Sequence, residues 1–184
     1  NLADRGVSVR WVPEVNGCLR VEDFDSAINA RTRVLSVSSV EFFSGFRNDL
    51  AALGSLCRER DILFVVDGIQ SVGALQIDVG ALGIDCLAAD GHKWLMGPEG
   101  CALFYTSPRA LAQLRVAGLG WASVRTSHDF LNYETELHVD ARRFETGSHN
   151  TAGIAGLKAA IDLLLDIGMD TVEARVLHLA RQLA

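Results

Sequence analysis

Short apolar runs that alternate with stretches of helical spacing limit what this chain can fold into. Residues 34–40 are apolar and rich in β-branched side chains, and Ile62-Leu63-Phe64-Val65-Val66 is a second such run that stops at Asp67. Both predict buried strands. Between them, Leu50, Leu53 and Cys57 recur at helical spacing, which predicts a helix over residues 48–60. Further strands are expected over residues 7–12, 85–89 and 100–105. Further helices are expected over residues 22–30, 152–167 and 171–184. Alternating strands and helices, with strands apolar on both faces, imply an α/β fold: three layers, α/β/α, around a mostly parallel sheet. In such sheets ligands bind beyond the carboxyl ends of the strands.

Composition excludes several function classes. The chain has 184 residues and a net charge of −6, which argues against a nucleic-acid partner because phosphate binding needs a basic patch. No apolar run reaches the roughly 18 residues that suggest a membrane span. No signal peptide opens the chain, and its first residue, Asn1, suggests an excerpt of a longer sequence. Cys18, Cys57, Cys86 and Cys101 are scattered and form no C-x-x-C pair. They read as small buried hydrophobes in a reducing compartment, so a cytoplasmic location without structural metal is expected.

Chemistry is sought at the strand ends. Asp67 closes an apolar strand, where a carboxylate is costly unless paired. It could cap a turn, hold magnesium, or pair with a protonated ring nitrogen. The magnesium reading lacks its phosphate cradle, since no G-x-x-x-x-G-K-[ST] is present. Lys93 lies in Gly91-His92-Lys93-Trp94, followed by Leu95 and Met96. Burial among such neighbours would disfavour the ammonium form, and a Schiff base requires a neutral amine. A snorkelling surface lysine is the alternative. The other lysine, Lys158, shares a stripe with Asp162 and Asp166, opposite Ile154, Leu157, Ile161 and Leu164, and reads as part of a solvated helix face. His92 could be a core histidine, a phosphate donor or a general acid. His128, His138 and His178 stand alone, while His149 lies in the Gly147-Ser148-His149-Asn150 turn. Residues 118–143 are long, polar and aromatic without periodicity, as functional segments often are.

Three elements together resemble the class V aminotransferase family, which includes cysteine desulfurases. Asp67-Gly68-Ile69-Gln70-Ser71-Val72-Gly73 resembles its D-[GA]-x-Q-S-x-G element. Asp90-Gly91-His92-Lys93-Trp94-Leu95-Met96-Gly97-Pro98-Glu99-Gly100 resembles [ST]-x-H-K-[WF]-x-x-G-P-x-G. Arg143-Phe144-Glu145-Thr146-Gly147-Ser148 resembles R-F-E-x-G-[TS]. The resemblance implies the large domain of a pyridoxal 5'-phosphate (PLP) enzyme acting on an amino-acid amine. Lys93 would carry PLP as a Schiff base and shuttle protons. Asp67 would pair with the pyridinium nitrogen, Gln70 would bond the phenolic oxygen, and His92 would donate to the phosphate. Ser148 would reach the phosphate of the other subunit in a homodimer with shared sites. Residues 1–170 would be the central part of this PLP-binding domain, and residues 171–184 the start of a helix leading toward a small domain.

Two departures bear on the reaction. Asp90 stands where the family often has a hydroxyl donor; an ionised carboxylate cannot donate and would repel phosphate, so Asp90 is expected to turn away and cap a backbone turn. Phe42 stands where the S-H-x-x-N element of desulfurases has Asn, which favours a class V aminotransferase or isopenicillin-N-epimerase-like enzyme. Asp129-Phe130-x-x-Tyr133 also resembles that branch. A cysteine desulfurase or cysteine/selenocysteine lyase is the first alternative. A cofactor-free interaction module is the alternative from another class; Asp67, Gln70, His92 and Lys93 occurring together argue against it.

Overall fold

The computed structural model describes residues 2–129, 131–133 and 135–183. Four strands, β1 (Val34–Ser38), β2 (Leu63–Asp67), β3 (Cys86–Asp90) and β4 (Ala102–Thr106), form one sheet in that order. β1, β2 and β3 run parallel, and β4 returns antiparallel to β3. The mostly parallel sheet expected from the sequence is thus present, with each strand within two residues of its predicted span. Among the described residues five α-helices accompany it: α1 (Val21–Ala27), α2 (Leu50–Glu59), α3 (Pro108–Gln113), α4 (Thr151–Ile167) and α5 (Met169–Leu183). None among the described residues is long and apolar enough to cross a membrane.

Local chemistry explains the helix starts. The Asp49 carboxylate accepts the Ala52 N–H at α2, and the Asn150 side chain accepts the Gly153 N–H at α4. Both side chains satisfy an amide that the helix cannot. The sequence reading missed α3, although Ser107 followed by Pro108 is a helix-start signal: Ser107 accepts the Ala110 N–H, and proline at the first position lacks only a donor that would be unpaired.

One face of the sheet carries the core. Leu35, Val37, Phe64, Val66 and Leu87 alternate onto it and pack against Phe24 of α1 and Leu50, Leu53, Leu56 and Cys57 of α2. The opposite face is more open. Val34 and Phe104 are about half exposed, so the expectation that strands are buried on both faces holds only in part. Asp67 lies on this open side, because it is odd-numbered along β2 with Leu63 and Val65 while Phe64 and Val66 face the core. Phe104 meets Phe144 edge to face, with ring centroids 5.7 Å apart, so the polar segment after residue 118 returns over the β4 edge.

The strand expected over residues 7–12 is absent. Val7, Val9 and Trp11 are exposed, and none of the described strands pairs with this stretch. Its alternating pattern is a strand signal only where a neighbour supplies ladder hydrogen bonds. The boundary drawn at residue 170 falls inside α5, whose first turn is tied back to the body: the Gln76 side chain donates to Asp170 at 2.7 Å, and its backbone N–H donates to Glu173. On α4, the Lys158–Asp162 ion pair lies on the solvated face as expected; Leu157 and Leu164 are buried, but Ile154 is half exposed.

A buried carboxylate sets the register of the central strands. Asp85 accepts the Phe64 N–H at 3.0 Å, the Ser107 hydroxyl at 2.8 Å and the Arg109 guanidinium at 2.8 Å. Asp85→Ala is expected to cost about 3–5 kcal/mol, because it leaves buried donors unpaired. Urea denaturation of the full-length protein measures the loss.

Candidate functional site

Two turns at the carboxyl ends of β2 and β3 meet to form the site. The first follows Asp67: Gly68 N–H donates to Ala88 O at 2.8 Å, and the Ser71 and Val72 N–H groups both return to Gly68 O. The second follows Asp90: Gly91 N–H donates to Cys101 O, Gly97 N–H to Gly91 O and Met96 N–H to Lys93 O. They touch at Gly73. A Cβ built there would lie 2.6 Å from the Trp94 carbonyl carbon, and Gly73 has φ +97°, a region that side chains rarely adopt. Val72 and Leu95 then share a small cluster with Leu157 and Leu164, which seats α4 on the second turn. At Gly97 a Cβ would come within 2.7 Å of Leu157.

This packing brings the Asp67–Gln70 turn against the Lys93 turn. Asp67 is exposed, Gln70 half-buried, His92 exposed and Lys93 half-buried. One Asp67 oxygen accepts the Ile69 N–H at 2.9 Å, which orients the carboxylate; among the described residues the other oxygen has no hydrogen-bond partner. Lys93 departs from expectation in one respect. Trp94 and Met96 beside it are largely exposed and do not wrap the amine. Leu95 and Gly91, by contrast, are buried.

Ser148 is exposed. Two residues on, the Asn150 side chain donates to Gly100 O at 3.1 Å, tying the start of α4 to the end of the Lys93 turn. Nearby, the Ser123 hydroxyl donates to Glu145 O at 2.6 Å and His149 stands 3.8 Å from the Glu145 carboxylate. Asp90 is the last residue of β3, paired with Ala102, and caps no backbone turn among the described residues. Phe130 lies outside the described residues; Tyr133 of the same motif is exposed. Phe42 and Phe43 project from a turn closed by Glu41 N–H to Phe46 O and Gly45 N–H to Glu41 O.

Cys57 and Cys86 are buried and are not presented as nucleophiles. Burial pushes the Cys57 thiol up to about 11, and it raises the Cys86 thiol as well. Two buried hydroxyls were not singled out from the sequence. Ser39 and Ser71, 3% and 0% exposed, face each other at 2.5 Å directly beneath Asp67. Ser71 stands in the D-[GA]-x-Q-S-x-G element, which could have pointed to it, whereas Ser39, a serine after a strand, carries no distinctive signal.

A mostly parallel sheet whose strand-end turns carry a carboxylate, an amide, an imidazole and an amine defines an α/β domain with a candidate site at its strand ends. The family model of class-V aminotransferases matches residues 1–184, and the chain belongs to that family, whose cofactor is PLP. Relatives include a probable cysteine desulfurase of Methanothermobacter thermautotrophicus, 31% identical over 99% of this chain and 45% of its own length. A cysteine desulfurase of Yersinia pseudotuberculosis is 35% identical over 90% of this chain and 40% of its own. The chain therefore spans less than half the length of these relatives. Among solved structures, the apo cysteine desulfurase of Thermococcus onnurineus superposes with a TM-score of 0.86 at 26% identity, over 98% of this chain and 45% of that one. A cystine C-S lyase mutant with glycine covalently linked to its PLP superposes with a TM-score of 0.76 at 28% identity, over 84% of this chain and 40% of that one.

Gly73→Ala in the full-length protein is expected to cost at least about 1–3 kcal/mol from backbone strain alone, and more if the turns separate. Thermal melting measures the first effect. Protease susceptibility of the 91–97 turn reads the second.

Proposed function

We propose that the full-length protein is a PLP-dependent enzyme acting on the α-amine of an amino acid, with Lys93 as the residue that carries the cofactor. The observation that supports this most is the contact of the Asp67 turn with the Lys93 turn at Gly73 and Trp94. That contact places an acid and an amine on neighbouring strand ends of a parallel sheet. The donor set suits a dianionic cofactor with a basic ring nitrogen. Asp67 has an oxygen free to meet a protonated nitrogen. Gln70 and His92 offer hydrogen bonds to oxygen acceptors.

PLP bound there supplies an electron sink for a carbanion next to the substrate nitrogen. The protein's own groups do the rest. Asp67 keeps the ring nitrogen protonated. Its orientation is set by the Ile69 N–H, so little reorganisation is needed. Lys93 would take and return the proton at the substrate α-carbon. Lys93 itself is half-buried.

Relatives named as cysteine desulfurases and a neighbour named as a cystine C-S lyase favour carbon–sulfur bond cleavage in a cysteine-type substrate over transamination. Phe42 in place of Asn favours the second reading, an aminotransferase or epimerase-like reaction. Assay of the full-length protein with cysteine, cystine and amino acid/keto acid pairs separates them: sulfide or persulfide release supports the first, keto-acid exchange the second.

Borohydride reduction followed by peptide mapping is expected to find the cofactor on Lys93. Attachment at Lys158 or no attachment overturns the assignment. Asp67→Asn should retain part of the cofactor and lower turnover by at least about 100-fold, the scale of losing a positioned catalytic group. We also infer a homodimer in which Ser148 serves the partner's phosphate. Mixing Lys93→Ala and Ser148→Ala subunits should restore activity above either parent, since one site in each mixed dimer then carries neither defect. No recovery despite subunit exchange argues against shared sites.

A further inference from the structure

We propose that Ser39 and Ser71 are positioning residues for Asp67, a buried hydroxyl pair that fixes where the carboxylate meets the cofactor ring. The inference rests on the reading that Asp67 faces the ring nitrogen. The two hydroxyls lie 2.5 Å apart and are fully enclosed. Ser39 also reaches Asp67 O at 3.1 Å with its hydroxyl and at 2.8 Å with its backbone N–H. The Ser71 hydroxyl reaches Gly68 O at 3.1 Å.

Hydrogen counting shows what the pair does. Two hydroxyl protons face three contacts: serine to serine, Ser39 to Asp67 O and Ser71 to Gly68 O. If Ser39 donates to Ser71, Ser71 donates to Gly68 O. If the direction reverses, Ser39 donates to Asp67 O. Either way the end of β1 is bonded to one of the two peptide groups that follow the Asp67 Cα. The bonds converge on the backbone that carries the catalytic turn, not on the apolar core. A shift there passes to the carboxylate through the Asp67–Ile69 hydrogen bond. Asn48, itself buried, holds the other side of the joint: its N–H donates to Ser39 O, and its amide donates to Ser38 O.

A purely structural pair would matter for stability alone. The two roles separate in the full-length protein loaded with PLP, read by the pH midpoint of the bound cofactor's visible absorbance and by the melting temperature of the cofactor-free form. Asp67→Asn supplies the reference shift. Ser39→Ala and Ser71→Ala should each move the midpoint in the direction Asp67→Asn does, by less, and weaken cofactor retention about fivefold, the size of one lost hydrogen bond. In the Asp67→Asn background neither change should move the midpoint further, because the effect passes through that carboxylate. Ser39→Cys and Ser71→Cys, close in shape but weak donors, replace any alanine variant that does not fold. A lower melting temperature with an unmoved midpoint overturns the inference, as does a shift that adds to that of Asp67→Asn. Absence of PLP from the unaltered protein overturns the functional reading instead, and this inference with it.

Discussion

The hydrogen bonds of the Asp85 carboxylate fix the alignment on which the rest of the structure depends. Asp85 sits one residue before β3 and takes donors from β2, from the residue after β4 and from α3. Its own N–H donates to Phe64 O, and its carbonyl accepts from Ser107. A charge so enclosed is tolerated only because every contact is a donor and one is a guanidinium. The amino end of the sheet is thereby locked in register. Parallel pairing then carries that register to the other end, where Asp67 stands opposite Ala88 and Ser38. The strand-end turns begin from a fixed level.

Those turns show how a chain holds polar groups at an open edge. Each turn's backbone is bonded within itself, the first also to β3 and the second to Cys101, so most of the polar capacity of the Asp67, Gln70, His92 and Lys93 side chains is left for other partners. The apolar contacts that seat the turns come from Val72, Leu95 and Leu157, behind the polar groups. Gly73 permits the close approach because any side chain there would occupy the Trp94 backbone. Packing, not polar bonding among these four side chains, brings the two turns together.

Much of this was legible in the sequence, and what was missed has identifiable causes. Residues 62–66 are apolar throughout and gave a strand within a residue of β2. Leu50, Leu53 and Cys57 gave α2 because one helix face is packed and the other solvated. Residues 7–12 carry a good alternation but lie outside the sheet, since a strand exists only where another strand offers its ladder. α3 carried a serine–proline start that was overlooked because the helix is one and a half turns long with a single buried residue, Ala110. Trp94 and Met96 suggested a wrapped lysine; the turn instead sends them outward.

The sequence by itself determined the α/β class, the strand ends where polar residues follow apolar runs, and the family to which the Asp67, Lys93 and Arg143 elements belong. These are properties of local spacing, since hydrophobic period and turn residues act over a few positions. Only the tertiary structure decided which face Asp67 occupies, that Asp85 pairs with Arg109, and that the hydroxyls of Ser39 and Ser71 meet beside the turn after Asp67. Those contacts join residues that are far apart in the chain. Each depends on strand order and register, which arise from burying one common core and appear in no single segment.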